Sequence, residues 1–397
     1  MTAFAVRERC RRILDAGEAG DLSHFSLQVD RLDEAADYVI ETIRLNYPDL
    51  GIPFHARWRH FVVAGEDRWR SVARELAVDP QEMARIRIDL AVTSVLLDAG
   101  AGARWRFRDP RSGALLARSE GLAIASLEAF TSGLFSSRPD RPLSADAAGL
   151  KAVTAASLGA AFQVDGDNPV DGLDGRVLLM NRLGDALTSG PAYFGSGEPR
   201  IGHLFDALTG AFPTGLTASR LLEVVLAAFG PIWPGRLSLG GVNLGDTWRH
   251  PGIVTRDETN GLVPFHKLSQ WLTYSLIEPL ADADLPVTEL DGLTGLAEYR
   301  NGGLFLDTGV LAPREARTLQ GTFAPGDEVI VEWRALTVAL LDRIAEQVRE
   351  KLGRTPEDLP LASVLEGGTW SAGRRIAAEM RPGGPPPIAI ESDGSVF

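Results

Sequence analysis

Residues 262–311 read LVPFHKLSQWLTYSLIEPL (262–280), a short acidic spacer, then ELDGLTGLAEYRNGGLFLDTGVL (289–311). The first part predicts a helix opening at Pro264, since a first turn does not need the N–H that proline lacks. Phe265, Leu268, Leu272 and Leu276 recur at helical spacing and form one apolar stripe. Lys267, Gln270, Trp271 and Tyr274 recur at i, i+3, i+4 and i+7 and share a second face. One amine, one amide and two amphipathic aromatics suit a polar ligand, and His266 stands beside that lysine as a further contact. The second part brings Asp291, Glu298, Tyr299, Arg300 and Asp307 after the helix. Carboxylates, a lysine and stacking rings thus fall within one supersecondary unit.

The lysine stands out against the composition. Lysine occurs only at 151, 267 and 351, and every other basic residue is arginine. Lys267 is therefore a candidate for work that needs a compact ammonium rather than a planar fork. The plainer alternative is a solvated surface amine.

A net charge of −13 argues against nucleic acid as the main partner, because phosphate backbones need a basic surface. A small anion held by a few arginines stays compatible with it. The single cysteine, Cys10, excludes an internal disulfide framework and fits a reducing cytoplasm. The N-terminal residues resemble an amphipathic helix and lack a signal-peptide core. The apolar stretch from Leu221 is too short to span a membrane and carries Glu223.

Elsewhere helical patterns dominate. Ala36, Val39, Ile40 and Ile43 define one helix, and Asp79-Pro80 opens another with Asp as cap and Pro in the first turn. Residues 103–120 predict a β-hairpin around Asp109-Pro110-Arg111-Ser112-Gly113. Two helices are expected between Ser144 and Leu187, separated by an Asp/Gly-rich loop without EF-hand spacing. A long helix over 331–352 should bury Trp333, Leu336, Leu340, Ile344 and Val348 and stop at Gly353. A further helix should open at Thr355-Pro356-Glu357-Asp358, and 366–374, with Glu366, Trp370 and Arg374, looks like a ligand-facing turn. The tail from Arg381 reads as an extended edge strand. The expected architecture is one mainly helical domain over 1–397 with a small hairpin and short strands.

Three further segments carry candidate chemistry. His55, Arg57, Trp58, Arg59 and His60 crowd one stretch that suits an anion or a sugar, with Arg forking and Trp stacking. The two histidines are five apart, off the i, i+4 pairing of helical metal sites, and no metal is assigned to them. The glycine-rich run 193–205 offers backbone amides plus Arg200 and His203, without a Walker or dinucleotide fingerprint. Asp246 and His250 suit acid–base work, or equally the fixing of turns.

IPFHARWRHF, EPRIGHLFDAL, HKLSQWLTYSLIEPL, LTGLAEYRNGGLFLDTGVL, EGGTWSAGR and RPGGPPPIAIESDGSVF together resemble the uracil-catabolism protein 4 family, called Urg3 in some fungi. That resemblance covers nearly the whole chain. It implies a part in uracil breakdown in which a ring-opened ribosylurea species is cleaved to free urea. The segments around Lys267 and Glu298 are also similar to the queuosine-salvage N-glycosylases, helical enzymes related to DNA glycosylases. There an aromatic-Lys helix precedes an Asp-rich segment ending in Asp-Tyr-Arg. By position the lysine falls on Lys267, the Asp-Tyr-Arg on Glu298, Tyr299 and Arg300, and an earlier aspartate on Asp291. Glu replaces Asp here, and Asn301-Gly302-Gly303 follows the arginine instead of Pro-Gln.

Both resemblances imply cleavage of a ribose C1–N bond through an oxocarbenium-like state that wants a carboxylate beside C1. Glu298 is the first candidate for that carboxylate, with Asp291 and Asp307 as alternatives. Lys267 would orient it, or protonate or hydrogen-bond the departing urea nitrogen, and Arg300 would hold the ribose or position Glu298. A 5′-phosphate would fall to His55, Arg57 and Arg59 or to Arg200. Trp271 and Tyr274 would pack on the planar urea or sugar, and Trp370 is a further substrate contact. No cofactor is expected, and the partner is a small ribosyl or nucleotide-derived molecule. A metal-dependent amidohydrolase using His55, His60, His203 or His250 with Asp246 is a rival, as is a non-catalytic ligand-binding or scaffold subunit.

Overall fold

The structure, a computed structural model, describes residues 1–391. It is mainly α, as expected, with short paired strands between helices. By the pattern of backbone contacts the chain falls into two compact units. One unit comprises Met1–His55, Gly235–Gln270 and Glu289–Glu391; the other comprises Ala56–Pro234 and Trp271–Thr288.

In the first unit the helix Glu328–Leu352 is central, and it packs against the helices Ala3–Ala19 and Leu32–Asn46. Trp333, Leu336, Leu340, Ile344 and Val348 are buried on it, and Gly353, at φ 62°, ends it in the left-handed conformation that glycine adopts freely. Thr2 caps the N-terminal helix by accepting the Ala5 N–H. Cys10 is buried there, and burial pushes its thiol up, so it is poorly placed to act as a nucleophile. The helix Tyr299–Asp307 approaches the long helix closely at Gly302. A Cβ at Gly302 would lie 2.8 Å from the Trp333 ring, whose indole N–H donates to the Gly302 carbonyl. Phe25–Leu27 pairs antiparallel with Leu311–Pro313, and Thr247–Arg249 with Leu262–Pro264. Thr322–Phe323 pairs with Ala389–Ile390, so the tail does form a strand; its end, 392–397, lies outside the described residues.

The second unit packs the helices Pro80–Leu96, Arg118–Thr131 and Leu173–Ser189 around Trp105, Phe130, Phe135 and Phe162. Asp79 caps its helix as predicted, accepting the Glu82 N–H at 2.8 Å. The expected hairpin pairs Phe107–Arg108 with Leu115–Leu116, and Asp109 organises its turn through Arg111, Ser112 and Arg68.

Four local expectations are corrected. Pro264 ends a strand rather than opening a helix, and the helix starts at Lys267. The proline is tolerated because the strand is short and Pro264 sits at its end. Residues 147–189 hold three helices, not two, because Thr154 supplies its own capping box and starts Ala155–Ala161 separately. No helix opens at Thr355; turns run on until Leu361. The 366–374 segment is not a turn: Val364–Trp370 is π-helical and continues into the helix Ser371–Met380.

Candidate active site

Asp246 organises the corner that the first unit builds before Lys267. Its carboxylate takes both Nη atoms of Arg334 at 2.8 Å, the Trp248 indole N–H at 2.8 Å and the Lys267 backbone N–H at 3.0 Å. Its own carbonyl accepts the Phe265 and His266 N–H groups. Burial alone would push this carboxyl up. The Arg334 charge and the hydrogen bonds from Arg334, Lys267 and Trp248 outweigh it and hold the group well below the usual carboxylate range. Arg334 also stacks 4.1 Å over the Phe265 ring, and its Nε donates to the Ala297 carbonyl at 3.3 Å.

His266 lies at the bend. It adopts φ 50°, a region that costs a residue bearing a Cβ, and it is only 2% exposed. Its Nε2 is shielded from solvent and makes no hydrogen bond within the described protein. Burial pulls its pKa down to about 4 in spite of Asp246, so the imidazole is neutral at pH 7. Gln270 pins the bend from within. Its amide N–H donates to the Phe265 carbonyl at 3.1 Å and to Thr294 Oγ1 at 2.6 Å, while its oxygen accepts the Thr294 N–H. Lys267 then begins its helix, half-buried.

Glu298 begins the other helix of the quoted stretch. It is the cap of Tyr299–Asp307, 8% exposed, with one oxygen accepting the Arg300 N–H at 2.8 Å and the other the Asn301 N–H at 2.5 Å. The residue before it gives its carbonyl to Arg334, so one guanidinium ties the corner before Lys267 to the approach to Glu298. Arg300 lies over the Tyr299 ring and donates to the Gly384 carbonyl.

A second polar cluster joins through Asn301, whose side-chain oxygen accepts from Thr369 Oγ1 at 2.9 Å. Thr369 belongs to the π-helical turn, a distortion often found at functional sites. The same turn carries Glu366, which sits 2.7 Å from His55 Nδ1, and Trp370, whose ring lies 5.7 Å from the His55 ring.

The other candidates are engaged elsewhere. Asp291 accepts from Arg349 at 2.5 Å and from the Leu361 N–H at 2.7 Å, and Asp307 takes a two-point bond from Arg381. His250 faces Glu332 at 3.3 Å. In the second unit, Arg57 is buried against Asp98 and Ser94, 5.5 Å from the Trp271 ring; burial pulls it below the usual guanidinium range. Trp58 donates to the Ser275 carbonyl, Arg59 forks onto Glu278, and His60 meets Trp271 edge-on. Arg200 binds Asp89 and Glu82, and His203 Nδ1 lies 2.9 Å from the Phe194 carbonyl. Gln270, Trp271 and Tyr274 are all buried.

Sequence reasoning missed Arg334. The signal was present in VIVEWRALTVALL, where Glu332 and Arg334 interrupt a long apolar run. Charges buried in such a run must be paired.

Two polar corners, one before Lys267 and one at Glu298, each at the start of a helix, are tied by one arginine in a mainly helical protein. The whole chain, residues 1–397, matches the family described as Protein of unknown function (DUF1688), and it belongs to that family. It is 41% identical to Protein urg3 of Schizosaccharomyces pombe, over 99% of this chain and 96% of that protein. It is 37% identical to Uracil catabolism protein 4 of Lachancea kluyveri, over 99% and 97%. No helix among the described residues is long and apolar enough to cross a membrane.

Proposed function

We propose that this protein acts in uracil catabolism and hydrolyses the ribose C1–N bond of ribosylurea or its 5′-phosphate. Water adds to C1, the bond to the urea nitrogen breaks, and that nitrogen takes a proton, so urea and the free sugar leave. The observation that carries the reading is Glu298. It is a nearly buried carboxylate whose two oxygens are each fixed by one backbone N–H and each keep a second lone pair. A carboxylate held in place costs no reorganisation when positive charge develops at C1. The name of the Lachancea kluyveri relative supports the pathway.

In this reading Glu298 stands beside C1, and Lys267 hydrogen-bonds the urea group. His266 offers a neutral imidazole nitrogen to the substrate. Asp291 and Asp307 are positioning residues, since each already answers an arginine.

The test is incubation of wild type and Glu298→Gln with ribosylurea and with its 5′-phosphate, following urea release. Urea and sugar from wild type alone support the assignment. Equal release by both proteins keeps the reaction but removes Glu298 from it. Tight binding of either compound without turnover by wild type replaces the enzyme with a binding subunit.

A further inference from the structure

Glu328 and Glu332 lie four residues apart in the first turns of the long helix and so share a face. His24, just ahead of the strand Phe25–Leu27, stands over them. One ligand atom from each of His24, Glu328 and Glu332 falls within 4.8 Å of the other two.

Glu332 is completely buried, and three donors hold its carboxylate. Oε1 accepts the His24 N–H at 3.1 Å and the Phe25 N–H at 2.9 Å. Oε2 lies 3.3 Å from His250 Nε2. The Gly252 N–H donates to His250 Nδ1 at 3.1 Å, so that nitrogen carries the lone pair and Nε2 carries the proton. His250 is therefore a donor to Glu332, the outer-shell arrangement that orients a ligating carboxylate.

His24 Nε2 is shielded from solvent and makes no hydrogen bond among the described residues, yet it lies 3.3 Å from Glu328 Oε1. The two atoms are close enough to bond and are not aligned to do so. Their separation matches the edge of a tetrahedron with bonds of about 2.0 Å, the length of metal–imidazole and metal–carboxylate bonds. A cavity of about 330 Å³ lies beside His24 and is lined also by Ser23, Glu315, Arg317, Thr318 and Val329, with neither glutamate of the cluster in its wall.

We propose that His24, Glu328 and Glu332 bind a divalent first-row cation, zinc or manganese in class, with water completing its shell. One imidazole and two carboxylates suit such an ion better than calcium, which takes oxygen ligands throughout. Bound there, the ion ties the chain before Phe25 to the first turns of the long helix.

The test uses the full chain, stripped with EDTA and dialysed against Zn²⁺ or Mn²⁺, with bound metal counted and melting temperature recorded. One ion per chain and a raised melting temperature are expected for wild type. His24→Ala and Glu328→Gln should each weaken binding about tenfold or more. Both side chains are partly exposed, so the stripped variants should melt close to stripped wild type. No bound ion, or equal affinity in wild type and both variants, overturns the site. Both variants keep the residues assigned to urea release, so this outcome is independent of that reading.

Discussion

Arg334 and Asp246 meet in a two-point ion pair, Nη1 to Oδ1 and Nη2 to Oδ2, both at 2.8 Å, across 88 positions of sequence. Because the same guanidinium donates to the Ala297 carbonyl, the pair sets where Lys267 begins and where Glu298 is approached.

Breaking that pair from one side leaves a buried charge unanswered. Arg334→Met should destabilise by about 3–5 kcal/mol. The double variant with Asp246→Asn should lose less than the sum of the two single changes. Chemical denaturation of the four proteins measures the coupling, and strict additivity would sink the claim.

His266 should make stability depend on acid. Its folded pKa of about 4 lies below the ordinary 6.5, so the unfolded chain binds the proton first as pH falls. The stabilisation is fully present above pH 6.5 and is lost as pH drops from there toward 4, by about 3 kcal/mol in all. His266→Asn, which tolerates the positive φ, should flatten that slope relative to wild type. Parallel slopes for the two proteins would refute it.

Glu298→Gln should cut urea release by about a hundredfold or more while costing on the order of 1 kcal/mol of stability, because a neutral amide still caps the helix in part. Steady-state rates beside melting curves separate the two effects. A fall in activity matched by unfolding would return Glu298 to a purely structural role.

Gly302 is needed for close approach. Gly302→Ala places a methyl against Trp333 and Thr337 Oγ1, and should destabilise by about 1–3 kcal/mol. Near-UV circular dichroism should show the Trp333 environment disturbed; an unchanged spectrum and midpoint would mean the helices separate without cost.

Much of the fold was legible because it follows from neighbours in sequence. Asp79-Pro80, Gly353, the Asp109 turn and the burial of Trp333 through Val348 all depend on residues within a few positions. Errors arose where a local signal had a distant competitor. Pro264 looks like a helix opening, but Phe265 and His266 give their N–H groups to the Asp246 carbonyl, and the strand through Pro264 pairs with Thr247. The aromatic face at Trp271 and Tyr274 is buried, and burial is not a property of one helix.

For the site, residue types and spacing were enough to put Lys267, Glu298 and Asp246 among the candidates, since an isolated lysine and clustered acids are visible in the chain itself, while the choice of Glu298 as the carboxylate came from the family resemblance. Their partners were not visible. That Arg334 answers Asp246, Arg349 answers Asp291, Arg381 answers Asp307, and Glu332 gathers His24 and His250 was settled only when distant segments packed together. Periodicity and capping are set by contacts three or four residues apart. The pairing of a buried charge is set by whichever opposite group tertiary packing brings within about 3 Å.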